Sequence, residues 1–338
     1  MMFYLIRDGE VNQHDHPVGL IVLRSPIPAY WFLEIFLLIL KQFQATMVKI
    51  IHMSGSRLIV LLLLMAITRS LTAQDGPQAI SVMTYNIWYD NPDNAGNAWS
   101  DRVAGVLKTL GEHDPDILCV QEALEHQVAD LKGAGYNVYG RGRDDGDKAG
   151  EFTAIFYNPV TFNQIESGVF WLSEYPDSAG SVGWDAVLPR TVTWVKLQVS
   201  GSGKNLYVFN THFSHVGEKA RLESARLLKE KITEVSGNVP VILTGDFNCK
   251  PGSAPHQVLA DPSGNNVLAD TRFVAEKEQK GKEFTFVGAV FTGVPGDLID
   301  HIFVSSGWTV SESFIFDNCI DGRCPSDHLP VVAILQQK

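Results

Sequence analysis

The stretch VILTGDFNCKP, residues 241–251, leads an apolar run into Asp246 and Asn248, one position apart with Phe247 between them. A turn accounts for the glycine, the asparagine and the proline, but it has no need of an acid. An Asp beside an Asn is suited to orienting and deprotonating a water molecule. Five other places repeat the pattern of an apolar run that ends in polar groups its local structure does not require. TYNIW sets Asn86 within a strand-like run, where Asn is poorly suited. LCVQEAL ends on Gln121 and Glu122, VFNTHFSH carries Asn210 and His212, GDLIDHIF carries Asp300, and CPSDHLPVV places Asp327 and His328 ahead of the last apolar run.

Each of these has an ordinary reading by itself: a turn-forming Asn, a solvated Glu, a structural His. Six in one chain, all at the ends of apolar runs, are a different matter, because strand ends of paired sheets converge on one rim. Their chemistry is also of one kind. Asn and Glu oxygens suit a hard cation such as Mg2+, which binds through one or two carboxylates and keeps waters for substrate phosphate. The histidines are too few and too surrounded by oxygen for a zinc site. A His held by an Asp suits stabilising charge on a phosphoryl group or protonating a leaving oxygen.

The elements that must position these groups are short and numerous. ISVMTYNIW, DILCVQE, EFTAIFYN, VPVILTGDF, LIDHIFVS, VSESFIFD and HLPVVAIL read as strands, and TVTWVKLQV and NLYVFNTHF as a hairpin joined at SGSGK. SDRVAGVLKTLGEH reads as a helix capped by Ser100, with Val103, Val106, Leu107 and Leu110 inward. EHQVADLKG reads as a short helix. GEKARLESARLLKEKITEV reads as a longer one, with Leu222, Ala225, Leu228, Ile232 and Val235 inward. The pattern predicts one α/β domain over residues 75–338, with two sheets packed face to face and helices outside.

Apolar residues make up 45% of the 338, enough for a sizeable core. The net charge is −11; residues 1–73 hold six Lys/Arg and four Asp/Glu, so the remainder holds 21 basic and 34 acidic residues, or −13. An acidic body argues against holding nucleic acid by bulk charge, though not against an enzyme that grips one or two phosphates through a metal. MSGSRLIVLLLLMAITRSLTAQ has a basic start, an apolar run from Leu58 to Ile67 and a short polar exit, the build of a signal peptide over 47–73 cleaved after Ala73. An uncleaved anchor is the competing reading. Residues 1–46 read as an over-extended start, with translation beginning at Met47 or Met53; a second hydrophobic helix is the alternative there. The expected location is therefore secreted or periplasmic. Cys319 and Cys324 bracket a turn-like loop that an exported protein can close with a disulfide, and Cys119 reads as a core residue.

TYNIW, VQE, NTHF, GDFN, LIDHIFV and SDHLPV, in this order and spacing, resemble the endonuclease/exonuclease/phosphatase superfamily over residues 79–335. The resemblance implies a four-layer α/β sandwich of two mixed β-sheets and Mg2+- or Mn2+-dependent hydrolysis of phosphoesters. It implies metal binding by Asn86 and Glu122, with Asp327 a further or outer contact. Asp246 is similar to the residue that activates the water, and Asn248 to one that helps hold water and phosphate. His212 and His328 match histidines that stabilise the transition state, with Asp300 orienting His328. Arg190, Asn210, Tyr157 and Arg221 are candidates for contacting substrate phosphate, and His215 lies close to Arg221 in sequence. His301 departs from the aromatic, such as Tyr, common at its position in the family.

The substrate stays open among nucleic acid, a phospholipid headgroup and a small phosphate ester, for a monomer with no obligate protein partner. A sphingomyelinase-type enzyme would show an aromatic hairpin, for which Phe170, Trp171 and Tyr175 are candidates, although VFWLS reads more simply as a strand. A phosphatase would gather cations, for which Arg190, Arg221 and Lys250 are available. A non-catalytic binding module on the same fold is the rival from another class. N-terminal sequencing of protein recovered from an exported fraction should begin at Gln74; a chain that retains residues 1–46 would contradict the reading of the start.

Overall fold

A computed structural model describes residues 79–338 apart from 92, 94–95, 264–266, 279, 289–293, 295 and 321. The segments 1–46 and 47–73, read above as an over-extended start and a signal peptide, lie outside the described residues. Two six-stranded mixed sheets make up the scaffold. The first contains β1 (Ala79–Asn86), β2 (Ile117–Gln121), β3 (Asn137–Tyr139), β4 (Ile155–Tyr157), β11 (Trp308–Ile315) and β12 (Val331–Gln337). The second contains β5 (Phe162–Trp171), β6 (Thr191–Val199), β7 (Asn205–His212), β8 (Val241–Asp246), β9 (Leu268–Asp270) and β10 (Asp300–Ser305). Their strand orders are β11-β12-β1-β2-β4-β3 and β5-β6-β7-β8-β10-β9.

Each sheet has a parallel pair at its centre, β1 with β2 and β7 with β8, flanked by antiparallel neighbours. A parallel pair needs a crossover. α1 (Trp99–His113) lies between β1 and β2 in the chain, and α3 (Glu218–Ser236) between β7 and β8. The shorter helices are α2 (Glu125–Lys132), α4 (Ala254–Leu259) and α5 (Thr271–Val274).

Side chains alternate across a strand, so each central strand has an inner and an outer face. Ile80 and Val82 of β1, Ile117 and Cys119 of β2, Leu206 and Val208 of β7, and Ile242 of β8 share one core cluster between the sheets. Met83, Tyr85, Leu118 and Val120 face outward with Val106 and Leu110 of α1. Tyr207, Phe209, Val241 and Leu243 face outward with Ala225, Leu228 and Ile232 of α3. These are the four layers of an α/β sandwich, and a fully buried aliphatic in such a core contributes ~1.5–3 kcal/mol.

Several local expectations are corrected. Ser100 does not cap α1; it sits in the first turn, and the Trp99 amide is held instead by Asp90 Oδ1 at 2.8 Å. Leu107 faces solvent while Arg102 is buried. The reason is polar: the Arg102 guanidinium donates to the carbonyls of Ile87, Trp88, Asn97 and Pro325, tying the turn after β1 to the segment before β12. EFTAIFYN yields a strand of three residues, Ile155–Tyr157, with Phe152 forming isolated bridges. Phe170 and Trp171 are buried at the end of β5, not part of an exposed aromatic hairpin, while Tyr175 beyond them is exposed. Cys319 and Cys324 are disulfide-bonded, and Cys119 is a buried free thiol.

On the outer side of β8 and β10 lies a buried polar triad. His301 Nδ1 donates to Asp270 Oδ2 at 2.8 Å, its Nε2 lies 3.1 Å from the Cys249 carbonyl, and His256 Nε2 lies 3.2 Å from the same Asp270 oxygen. Burial alone would raise Asp270, but its bonds to the two histidines hold it well below the carboxylate range. Burial would lower His301, and Asp270 reverses that into a raised value. The Asp270 contribution to stability is therefore present above its unfolded value of ~3.9 and lost as pH falls through the folded one. The His301 contribution is full below ~6.5 and lost as pH rises through its folded value. Thermal melts should show this pair stabilising most between about pH 4 and 6.5, and His301→Phe should flatten the limb that falls as pH rises above ~6.5. An unchanged limb would show that His301 is neutral in the fold.

Candidate active site

The alternation that fills the core with aliphatics also aims the polar groups. Following the inner face of β1 through Ile80 and Val82 leads to Thr84 and then Asn86. The same count leads to Gln121 on β2, Asn210 and His212 on β7, and Thr244 and Asp246 on β8. All four strands run in one direction, so these groups collect where strand C-termini meet, the usual ligand crevice of α/β sheets. β10 and β12 run the other way, so it is their N-terminal ends that reach the same rim: Asp300 opens β10 opposite Asp246, and Asp327 and His328 precede β12.

Beneath the rim the inner faces are joined by hydrogen bonds. Gln121 Nε2 donates to Asn210 Oδ1 at 2.6 Å and to Thr84 Oγ1 at 3.0 Å. Asn210 Oδ1 also accepts from Thr244 Oγ1, and its Nδ2 donates to the carbonyls of Val120 and Ala154. Asn210 is thus fully engaged between the sheets and has no donor to offer a substrate phosphate.

The rim itself centres on Asp246. Its Oδ1 accepts from the Asn248 amide at 2.9 Å, and its Oδ2 accepts from Asn86 Nδ2 at 3.1 Å. His212 Nε2 and His328 Nε2 stand 3.5 and 3.8 Å from the same oxygen. Asn86 Nδ2 also donates to Glu122 Oε1 at 3.1 Å. His328 Nδ1 lies 2.8 Å from Asp300 Oδ2, and the Asp300 amide donates to Thr285 Oγ1. Loop geometry aims several of these. Trp88, Glu122 and Asn248 each follow a strand and each has positive φ, 58°, 63° and 46°. Such conformations cost of order 1 kcal/mol for a residue with a side chain and gather at functional sites. Gly245 brings the backbone so close to Thr211 that an added Cβ would stand 2.3 Å from the Thr211 carbonyl oxygen.

Electrostatics mark the rim as short of positive charge on one side. Burial, reinforced by Asp300 and opposed by His328, pushes Asp246 up to about 7. Burial, with Glu122 adding and His328 opposing, pushes Asp327 up to about 6. His328 moves the other way from what burial favours, well above the usual histidine range, because Asp300, Asp246 and Asp327 surround it. His212 is driven well below that range by burial and by Arg190 and Arg143. The oxygens of Asn86, Glu122, Asp246 and Asp327 fit a hard divalent cation, and burial disfavours Asp246 and Asp327 as unpaired anions.

The remaining sequence candidates divide. Arg190 is at the rim, its Nη2 donating to His215 Nδ1 at 2.8 Å. Arg221 lies in the first turn of α3 and donates to the Ser214 carbonyl. Lys250 is exposed and paired with Asp297. Tyr157 is not brought to the site: it pairs with Ile117, at the opposite end of β2 from Gln121, and its hydroxyl donates to Gln164. Sequence reasoning passes over Arg143 and Glu151, which hydrogen-bond to each other and line a cleft with Glu122, Arg190 and His212. Their only sequence signal is two arginines among four acids in the glycine-rich loop GRGRDDGDKAGE.

The model of the Endonuclease/Exonuclease/phosphatase family matches residues 83–328. The chain belongs to this family. An endonuclease/exonuclease/phosphatase from Bacteroides vulgatus is 36% identical, with a TM-score of 0.73 over 77% of this chain and 100% of that one. A mannosyl-6-phosphatase from Bacteroides thetaiotaomicron is also 36% identical, with a TM-score of 0.71 over 76% of this chain and 99% of that one. An uncharacterised protein of Acanthamoeba polyphaga mimivirus is 27% identical over 256 residues, 70% of this chain and 92% of its own. The chain spans less than half the length of several other curated relatives that it matches. As a family phosphoesterase, it carries its polar rim where the motifs of the sequence converge.

Replacing Asn210 tests the division between scaffold and site. Asn210→Leu removes one hydrogen-bond partner each from Gln121, Thr244 and the carbonyls of Val120 and Ala154, at ~1–3 kcal/mol for any buried group left unpaired. The melting temperature should fall by at least ~4 °C. An unchanged melt with lost activity would return Asn210 to the substrate.

Proposed function

We propose that the protein is an exported hydrolase of phosphoester bonds that works with Mg2+ or Mn2+ and uses Asp246 as the base for the attacking water. The observation that carries this reading is the convergence of Asn86, His212, His328 and the Asn248 amide on the one Asp246 carboxylate, with Asp300 behind His328. A carboxylate pushed up to about 7 takes a proton from water more readily than an ordinary one. His328, held by Asp300 and favoured in its charged form, presents Nε2 as a donor to a phosphoryl oxygen or to the leaving oxygen. His212, favoured as the neutral ring, supplies a second contact without adding charge.

Asn86 and Glu122, with Asp327 farther out, would hold the cation, which when bound withdraws charge from a phosphoryl oxygen. A non-catalytic module has little need of this arrangement, since Glu122, Asp246 and His328 are all present and mutually placed. Support for export comes from the signal-like segment 47–73 and from the Cys319–Cys324 disulfide, a bond that persists in oxidising compartments.

Hydrolysis of p-nitrophenyl esters should vanish in excess EDTA and return with Mg2+ or Mn2+; full activity in chelator would remove the metal from the reading. Asp246→Ala and His328→Ala should each lower kcat by at least ~100-fold. Asp300→Asn should lower it too, and Asp300→Asn combined with His328→Ala should cost no more than His328→Ala alone, as for groups acting as a unit. Near-normal turnover of His328→Ala would assign that ring to structure.

A further inference from the structure

The chain that leads from β11 into β12 carries the Cys319–Cys324 disulfide, which closes a loop with a sequence separation of only 5. Closing so short a loop removes less chain entropy than closing a long one, so the effect of the bond falls on the groups it joins. Just before it, Asn318 Nδ2 donates to the Tyr85 hydroxyl and to Thr109 Oγ1, at 2.9 and 3.0 Å. Just after it, Pro325 rests on α1, where a Cβ at Gly105 would stand 2.8 Å from the proline Cγ. The Pro325 carbonyl accepts from Arg102, whose guanidinium also holds the carbonyls of Ile87 and Trp88. Ser326 Oγ then donates to the Asn86 carbonyl at 2.6 Å and accepts from the His328 amide. The disulfide therefore borders the short segment that fixes both Asn86 and His328.

The bond is also open to reagents. Both cysteines are half-buried, beside exposed Ile320 and Arg323, and they line a broad cleft with Lys108 and Glu112. The other two cysteines are buried free thiols, and burial pushes Cys119 up to about 12 and Cys249 up to about 11. Thiols so poorly ionised are inert to exchange, so a thiol reagent acts on this chain at one place.

We propose that the Cys319–Cys324 disulfide is a redox-sensitive strut: closed, it holds Asn86, Asp327 and His328 in their working places, and its reduction by a dithiol loosens them and lowers turnover. The proposal rests on the hydrolase reading above. A thiolate of the dithiol attacks one cysteine sulfur, and the S–S bond breaks with its electron pair on the other. The second thiol of the dithiol then displaces the first protein sulfur from the mixed disulfide. Two protein thiols and an oxidised dithiol result, with two electrons and two protons passed to the protein. Once the bond is open, the loop between Asn318 and Pro325 moves freely, and its motion is resisted by the Arg102 and Ser326 contacts alone. Those contacts stand behind the groups that would hold the cation, and losing such outer support costs ~10–100-fold in metal affinity or activity. An oxidising compartment keeps the bond closed and the enzyme on.

The test uses the full chain in three forms: oxidised, reduced with dithiothreitol that is then removed without air, and with Cys319→Ser and Cys324→Ser combined. Calorimetric titration with Mn2+ should give an affinity at least ~10-fold weaker in the reduced chain than in the oxidised one. The double variant should match the reduced chain. Oxidised glutathione should restore the reduced wild type and leave the double variant as it was, so the wild type alone serves if the variant fails to fold. Amide exchange at His328 and Leu329 should quicken on reduction while exchange in β7 and β8 stays slow. Turnover of p-nitrophenyl esters should fall at least ~10-fold with the Mn2+ affinity. An Mn2+ affinity or a turnover unchanged by reduction overturns the proposal. Exchange that quickens throughout the domain overturns it too, since the bond would then be a general staple. If no ester is cleaved by any form while Mn2+ affinity still follows the redox state, the hydrolase reading fails and the strut stands.

Discussion

The hydrogen bond from Gln121 to Asn210 joins the two sheets where the apolar core ends and the polar rim begins. Each partner comes from a different sheet, and each sits on the inner face of its strand. With Thr84 and Thr244 they form a buried, hydrogen-bonded polar layer between the sheets. Such a layer fixes the separation and register of the sheets more narrowly than aliphatic packing does, because hydrogen bonds fail over fractions of an ångström. Everything above it inherits that register: Asn86 and His212 stand two residues farther along strands that the layer has pinned. Asp246, two residues beyond Thr244, does the same on β8.

Above the layer the charges segregate. Asp246 and Asp327 crowd with Glu122 on one side, while Arg143 and Arg190 stand together on the other, and burial disfavours the charged forms of Asp246, Asp327 and Arg190. His212 lies between, 3.5 Å from Asp246 and 3.8 Å from Glu151. A site of this kind is under tension in its empty form and relaxes when a cation and an anion arrive together, which is the charge pattern of a metal–phosphate pair.

Much of this is legible because strands end abruptly in the sequence. An apolar run bounded by Asn, Glu, Asp or His names a rim, and the six motifs that carry the family resemblance all lie at one. What the sequence withholds is direction. Tyr157 also closes an apolar run, but β4 is antiparallel to β2, so its C-terminal end points to the opposite rim. Asn210 lies one layer below its expected place: it shares a face with His212, but two residues deeper, where contacts belong to the scaffold. Arg143 and Glu151 escape notice because they sit on a loop, where neither period nor alternation marks a side chain as inward. Leu107 departs from its pattern for a related reason, since the burial of Arg102 turns α1 away from the face its apolar residues favour.

The first described strand is paired with the last: β1 lies between β2 and β12, register-matched from Ala79 with Gln336 to Thr84 with Val331. Asn86 belongs to that first strand and His328 to the segment that leads into the last. They stand 242 positions apart in the chain, yet Asn86 Nδ2 comes within 3.5 Å of His328 Nε2. During synthesis, then, the ribosome must complete nearly the whole domain before Asn86 and His328 can meet. Contacts so distant in sequence slow the search for the native state. Nascent chains should therefore stay inert and pliable until β12 emerges, and no shorter translation product has the parts for turnover.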